Sequence, residues 1–415
     1  MIKNKKKHSL YRIAIVKYGG MSAGGTERYL RNLANGLDKD KFQVTFFYCD
    51  PAEFLESSSA QMQSEERFVE ELKIHKVSTV KFRVGKKNDL SPKHDWIDTD
   101  FFNLFDESSF DLLITGRAGH PEYPFYRIRK IPIIDTLHLD AGIDWQPNIC
   151  RTVFLSNWSL EKWVNQGGSR KLTFQSGLLM EKSDQKVKLE KAEIRSRIGV
   201  NTEFAIGMHQ RASDGIFSPM PIEAFSKICR THSVTFLLLG GGLKYRKQVR
   251  ELDLEEFVYC FDFDSGLTEE EFLCALDIYS HGRKDGEINS LAIAKALEIG
   301  LPVVSHISDQ NNGHIECIGD AGYVVHSVEE YEAALIKILS REEVRINLHE
   351  EAILQFNKFY NYDEILTELE ELFGNVIQNS YKLKYKLKTS KTLWRLWFVS
   401  YRIKRRFLMN GIRKR

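Results

Sequence analysis

Long hydrophobic runs are missing from this sequence. No stretch reaches the roughly 18–20 consecutive apolar residues that a membrane-spanning helix requires, so such a span is not expected. Cysteine is sparse as well. The six cysteines, at 49, 150, 229, 260, 274 and 317, lie far apart and form no CxxC pair or Cys/His cluster. That argues against a disulfide-stapled scaffold or a zinc module and favours a reduced, cytosolic chain, with Cys229, Cys260 and Cys274 acting as small hydrophobes inside apolar runs. The N-terminal "MIKNKKKHSLYRIAIV" is charged, but its apolar run is short and ends in "KYGG", which is not a signal-peptide pattern. There is no internal repeat and no low-complexity block. What is present suffices to fold. With 415 residues, 42% hydrophobic and 12% aromatic, the chain can form two or three domains with sizeable cores.

Acidic residues are absent from one place in particular. Residues 381–415 hold thirteen Lys and Arg and no Asp or Glu. Taking those thirteen charges from the net +2 leaves the rest of the chain near −11. A basic segment on an acidic body points to an anionic surface as partner and away from nucleic acid. The same segment interleaves aromatics, with Trp394, Trp397, Phe398 and Tyr401 at helical spacing. An amphipathic helix on an anionic bilayer is expected, with Trp394, Arg395, Trp397, Phe398, Arg402, Lys404, Arg405 and Arg406 as its membrane contacts. A helix packed on the first domain and a disordered basic tail are the alternatives.

The remainder alternates strand and helix. "YRIAIVK" reads as a buried strand, "GGTERYLRNLANGL" as a helix with Leu30, Leu33, Ala34 and Leu37 on one face, and "FQVTFFYC" as a second strand. This βαβ pattern implies parallel pairing. It continues through "FDLLIT", "IPIIDTL" and "RTVFLS", and resumes after residue 200 with "FAIGMHQ", "VTFLLLGGG", "FVYCFDF", "DIYSH" and "LPVVSH". Two α/β domains in tandem place ligands at the carboxyl ends of their strands, in a cleft between the domains.

The phosphate-binding signatures are incomplete. "YGGMSAGGTE" has neither GxGxxG spacing nor the GK[ST] of a P-loop. Gly24 and Gly25 can still let backbone N–H groups approach an anion, or can simply permit a tight turn. The acid pairs "DTD" (98–100) and "DFD" (262–264) offer carboxylates to a divalent metal, but solvated loops are the expected role and no metal site is assigned. His138 ends a strand, where a neutral imidazole suits a sugar hydroxyl or serves only structure. Arg211 follows "FAIGMHQ", where a guanidinium can hold phosphate or form a surface ion pair. In "GEINSLAIAKALEIGLPVV", the helix is expected to start near Asn289 or Ser290, with Gly300 and Pro302 stopping it. Its N-terminus can receive a diphosphate. Glu287, just ahead, would repel that anion at the same N–H groups, so it more plausibly accepts from neutral hydroxyls beside it.

These stretches, in this order, resemble the retaining glycosyltransferases of family 4, with a GT-B fold. "GGTERYLRNLANGL", "DTLH", "FLSNWSLEKWV", "GMHQR" and the long "GEINSLAIAKALEIGLPVVSH…IECIGDAGYVV" carry the resemblance over about residues 11–375, the last of them specific and the others weak singly. It implies transfer from a nucleotide-sugar with retention, needing neither metal nor cofactor. Gly24 and Gly25 would then lie near the diphosphate and acceptor. His138 would contact the donor sugar as a catalytic residue, and Arg211 would bind the diphosphate. Glu287 would be catalytic too and would bind donor hydroxyls, the backbone of Asn289, Ser290 and Leu291 would face the donor, and Lys295 would lie among the donor-binding residues. Two positions depart. Lys295 stands where the family has a second, ribose-gripping glutamate, and Ile216 where a lysine is usual.

The expected architecture is therefore two Rossmann-like parallel-sheet domains facing across a cleft, with a C-terminal helical segment. The expected boundaries are an acceptor domain over 1–180, a linker over 181–200 and a donor domain over 201–355. A helix over 356–380 would return toward the first domain, followed by the basic aromatic tail 381–415. The expected function is glycosyl transfer to a glycan or lipid-linked acceptor in cell-surface polysaccharide or glycoconjugate synthesis. The protein would be cytoplasmic and peripheral on the inner membrane face. The alternative is a scaffold at the membrane surface whose donor site has decayed.

Overall fold

The computed structural model describes residues 10–17, 21, 24–49, 59–83, 99–117, 128–140, 142–143, 146–180 and 190–389, together with Thr392, Arg395, Leu396, Val399 and Ile403. They divide into two compact units. One is drawn from residues up to 155, from 159–181 and from 362 onward; the other comprises 156–158 and 182–361.

The first unit grows from the expected βαβ start. In β1 (Tyr11–Lys17), Ile13 to Val16 are fully buried, and in α1 (Gly25–Gly36) Tyr29, Leu30, Leu33 and Ala34 face inward. β2 (Phe42–Cys49) pairs parallel to β1, Tyr11 opposite Phe42. There follow α2 (Ser59–Ile74), β3 (Ser78–Phe82), α3 (Phe101–Leu104), β4 (Leu112–Arg117), β5 (Ile133–Leu137), β6 (Ile149–Phe154), α4 (Asn157–Asn165) and β7 (Thr173–Gln175). All strands pair in parallel, in the order β3-β2-β1-β4-β5-β6-β7. One face is sealed by aromatics: Phe47 packs on Phe101 and Phe105, and Phe82 on Phe101, with ring centroids 5.0–5.8 Å apart across the group. Such pairs favour the tilted and offset geometries seen here.

The second unit begins with α5 (Lys191–Arg197), then β8 (Phe204–Gln210), α6 (Met220–Ile228), β9 (Val234–Gly240), α7 (Leu243–Glu251), β10 (Val258–Phe261), α8 (Glu269–Cys274) and β11 (Ile278–Ser280). The two-residue strand β12 (Gly286–Glu287), α9 (Leu291–Glu298), β13 (Val303–His306), β14 (Asn311–Asn312), α10 (His314–Ile318), β15 (Gly322–Val325), α11 (Val328–Ser340) and α12 (Glu342–Tyr360) complete it. Its six-stranded parallel sheet runs β10-β9-β8-β11-β13-β15. In both sheets the first strand is third in the order and the chain reverses direction beside it. That reversal opens a crevice at the strand carboxyl ends, between β1 and β4 in one unit and between β8 and β11 in the other.

Two segments lie near the expected boundaries. Helix α5, placed in the linker on sequence, is docked in the second unit. Asp277 pairs with Arg195 and, at 2.9 Å, with Lys191, and it also accepts from the Ala205 N–H at 2.8 Å. The long helix α13 (Tyr362–Thr389) belongs to the first unit. There Tyr362 Oη donates to the Asn32 carbonyl at 2.9 Å, Glu370 accepts from the Asp38 N–H at 2.7 Å, and Leu369 and Phe373 are buried.

Candidate functional site

In the first unit, the crevice side is formed by the start of α1 and the end of β5. Gly24 is the N-cap of α1 and offers no side chain to cap it, so the first N–H groups of that helix depend on other partners. At Gly25, a Cβ would meet no atom within 4 Å. Local packing therefore does not demand glycine there; its effect is to leave the backbone approachable. Glu27 is tied to the buried Lys17, 3.4 Å away. His138 directly follows β5, and its ring packs edge-on against Tyr29 with centroids 4.9 Å apart. Its Nε2 is shielded from solvent and has no hydrogen-bond partner among the described residues. Burial, together with the nearby Lys17 charge, pushes the His138 pKa down to about 3. The imidazole is thus neutral at pH 7 and holds one unspent donor or acceptor. Gly116 makes this possible. A Cβ on it would come within 2.9 Å of Thr26 and 3.3 Å of the His138 ring. Sequence reading passed over Gly116, because nothing in "LLITGR" signals that a helix and a histidine crowd its Cα.

In the second unit, Arg211 follows β8 and is exposed at the reversal point between β8 and β11. Opposite lies the loop from His281 to Ser290. Gly286 has φ +60°, and a Cβ there would lie 1.8 Å from the Asn311 carbonyl oxygen, so only glycine lets β12 pair with β14. That pairing fixes Glu287. Arg283 Nη1 donates to its Oε1 at 2.8 Å, while the same guanidinium grips Asp285 at 2.7 Å. His281 Nε2 stands 3.9 Å away. Burial pushes the Glu287 pKa up, but His281, Arg283 and the Ser290 hydroxyl outweigh it and hold it at about 2. The carboxylate is ionised, oriented and only 13% exposed.

Helix α9 starts where its caps predicted. The Ser290 hydroxyl accepts from the Ile293 N–H at 3.2 Å, which leaves the N–H groups of Leu291 and Ala292 without intrahelical partners. Asn289 Oδ1 accepts from Tyr360 Oη at 3.2 Å. Glu287, Asn289, Ser290 and Leu291 thus form one loop-to-helix mouth. Lys295 is one turn in. It points at α8, with Nζ 2.6 Å from Glu269 Oε2.

Two further cations emerge only in three dimensions. Arg283 is the first. Lys284 is the second: its N–H donates to the Ile216 carbonyl at 3.2 Å, which sets an exposed lysine beside the position where the family resemblance leads one to look for a cation. Lys284 and Lys244 share a cavity of about 460 Å³ with Ser218 and His306, whose side chains are hydrogen-bonded at 2.8 Å. "GRKDGE" displays these charges in sequence, but not their direction.

One acid of each pair is held by an arginine. Asp262 pairs with Arg246 at 2.5 Å and Asp100 with Arg83 at 3.1 Å, while Asp98 lies outside the described residues. Of the expected membrane contacts, Trp394, Trp397, Phe398, Arg402, Lys404, Arg405 and Arg406 also lie outside them, as does Tyr401. Arg395 is exposed, and so are Leu396, Val399 and Ile403. No helix among the described residues is long and apolar enough to cross a membrane.

Solved glycosyltransferase structures share this architecture across most of the chain. A glycosyltransferase from Rickettsia africae matches with a TM-score of 0.70 at 14% identity, covering 90% of this chain and 100% of that one. HepE from Anabaena, solved with UDP, matches at 0.66 and 16% identity, covering 88% and 100%. Sucrose-phosphate synthase from Thermosynechococcus elongatus matches at 0.63 and 15%, covering 89% and 100%. The fold is GT-B. No protein-family model matches the chain, and no curated protein matches its sequence.

The Glu287 geometry sets a pH dependence. Its folded-state pKa lies below the ordinary 4.5, so the carboxylate stabilises the fold above pH 4.5 and that contribution fades as pH falls toward 2. At pH 7, Glu287→Gln should lower unfolding stability by on the order of 2–3 kcal/mol. The gap from wild type should shrink steadily between pH 4.5 and 2 in urea titrations. A gap that stays constant across that range would show that the carboxylate is not held by its charge.

Proposed function

We propose that the protein is a retaining, metal-independent glycosyltransferase that takes a sugar from a nucleotide-sugar donor. The reading rests above all on Glu287: an oriented, ionised acceptor set immediately ahead of an uncapped pair of N–H groups at the start of α9. A sugar brings hydroxyls that donate to a carboxylate, and its diphosphate brings negative charge that suits a helix N-terminus. The leaving group is a nucleoside diphosphate, so catalysis needs positive charge where negative charge develops. Arg211 and the α9 N-terminus supply it, and Lys284, close to Ile216, offers the cation missing from position 216. His138, neutral and with Nε2 unspent, acts on the donor sugar. Gly24 and Gly25 leave room for diphosphate and acceptor. Attack by the acceptor hydroxyl from the face the leaving group departs is the mechanism that the family resemblance implies, and this reading adopts it.

The acceptor in this reading is a glycan, lipid-linked, at the inner face of a membrane, in the synthesis of cell-surface polysaccharide or glycoconjugate. The basic tail supports it, and the exposed Leu396, Val399 and Ile403 follow the 3/4 spacing of an apolar helical stripe beside Arg395. A second reading, a membrane-surface scaffold with a decayed donor site, is favoured by Ile216 and Lys295 and opposed by the intact Glu287–Arg283 pair.

Two experiments test these readings. A thermal-shift panel of UDP-, GDP- and dTDP-sugars should give a stabilising shift with at least one, and Glu287→Gln should abolish sugar transfer or donor hydrolysis with that donor. Silence across the panel would favour the scaffold. Separately, the full chain should sediment with anionic liposomes and a 1–380 truncation should not. A full chain that ignores such liposomes would remove the membrane from the account.

A further inference from the structure

Lys295 does not stand alone. It closes a three-residue cluster drawn from three elements of the second unit. Glu269, the first residue of α8, accepts from Lys295 Nζ at 2.6 Å through Oε2 and lies 2.7 Å from His209 Nε2 through Oε1. His209 is the last residue but one of β8, two positions before Arg211. It is 7% exposed, and its Nδ1 has no hydrogen-bond partner among the described residues. The side chain of Glu269 is 25% exposed, within reach of a ligand. The cluster stands where β8 ends and α8 begins, at the carboxyl edge of the sheet, and β8 borders the crevice.

We infer that Glu269, clamped by Lys295 and His209, is the carboxylate that receives the vicinal ribose hydroxyls of the donor nucleotide. The inference rests on the donor-site reading given above. A carboxylate has about four lone-pair positions. The two protein donors use one on each oxygen, which leaves one on each for a diol. Lys295 cannot take this role directly, because an ammonium only donates; what it does is hold a carboxylate contributed by the neighbouring helix. An anionic group would be repelled by Glu269, whereas neutral hydroxyls are not. The diphosphate is left to Arg211 and the start of α9. The substitution of lysine for glutamate on α9 thus moves the acceptor from one helix to another without removing it.

Calorimetric titration of the full chain with UDP, GDP and CDP, each against its 2′,3′-dideoxy form, tests this. The wild type should prefer the ribonucleotide by about tenfold, the worth of charge-assisted hydrogen bonds to a diol. In Glu269→Gln the preference should vanish while affinity for the dideoxy form is unchanged. The exchange Glu269→Lys with Lys295→Glu, which puts the carboxylate on α9, should restore it. A wild type that binds both forms equally, or a folded Glu269→Gln that keeps the preference, overturns this assignment and leaves the donor-site reading standing. A wild type that binds none of these nucleotides overturns both.

Discussion

The ion pair between Arg283 and Glu287 organises the loop that leads into α9 in the second unit. It holds a buried carboxylate ionised, and breaking it by removing one partner would strand a charge away from water. Its geometry depends on the backbone beneath it. Gly286 bends the chain through positive φ so that β12 can lie against β14. Gly313 lets the next turn pass the Ile288 carbonyl, 1.8 Å from where a Cβ would be. From that fixed point the chain enters α9, and the Ser290 cap determines which N–H groups are spent and which face outward. Carboxylate and helix mouth are therefore placed by one short segment.

Set against the pattern that the family resemblance implies, charge in this unit is placed differently but keeps its sign. Ile216 gives up a cation, while Lys284, whose backbone is bonded to Ile216, brings one to the same neighbourhood. Lys295 gives up a carboxylate, while Glu269 presents one against it. A site that had merely decayed would not be expected to keep both signs. Loss of either Lys295 or Glu269 would leave its partner's charge half-buried and unpaired.

Much of the fold was legible in the sequence, because βαβ units announce themselves by apolar runs that end in glycine-bearing loops. The strands so read, from "YRIAIVK" to "LPVVSH", are present. Elements with little buried surface were not legible. β3 buries only Phe82 of its five residues, and β7 is three residues long with none buried. Helix α5 looked like a linker because its sequence is dominated by charge; what docks it is Asp277, 82 residues beyond Arg195, which no local pattern reveals. At the site, the cap, the acid and the departures at 216 and 295 were visible as residues. Their partners Arg283, Lys284, His209 and Glu269 were not, since each depends on where a different loop or helix arrives in space.

The central claim is that the second unit binds a sugar nucleotide at the segment from Gly286 to Lys295 and at the end of β8. Hydrogen-exchange mass spectrometry with and without the best-binding sugar nucleotide tests it most directly. The account predicts slowed exchange in peptides spanning 207–218 and 286–295. Protection that leaves both peptides unchanged while the ligand is bound would contradict it.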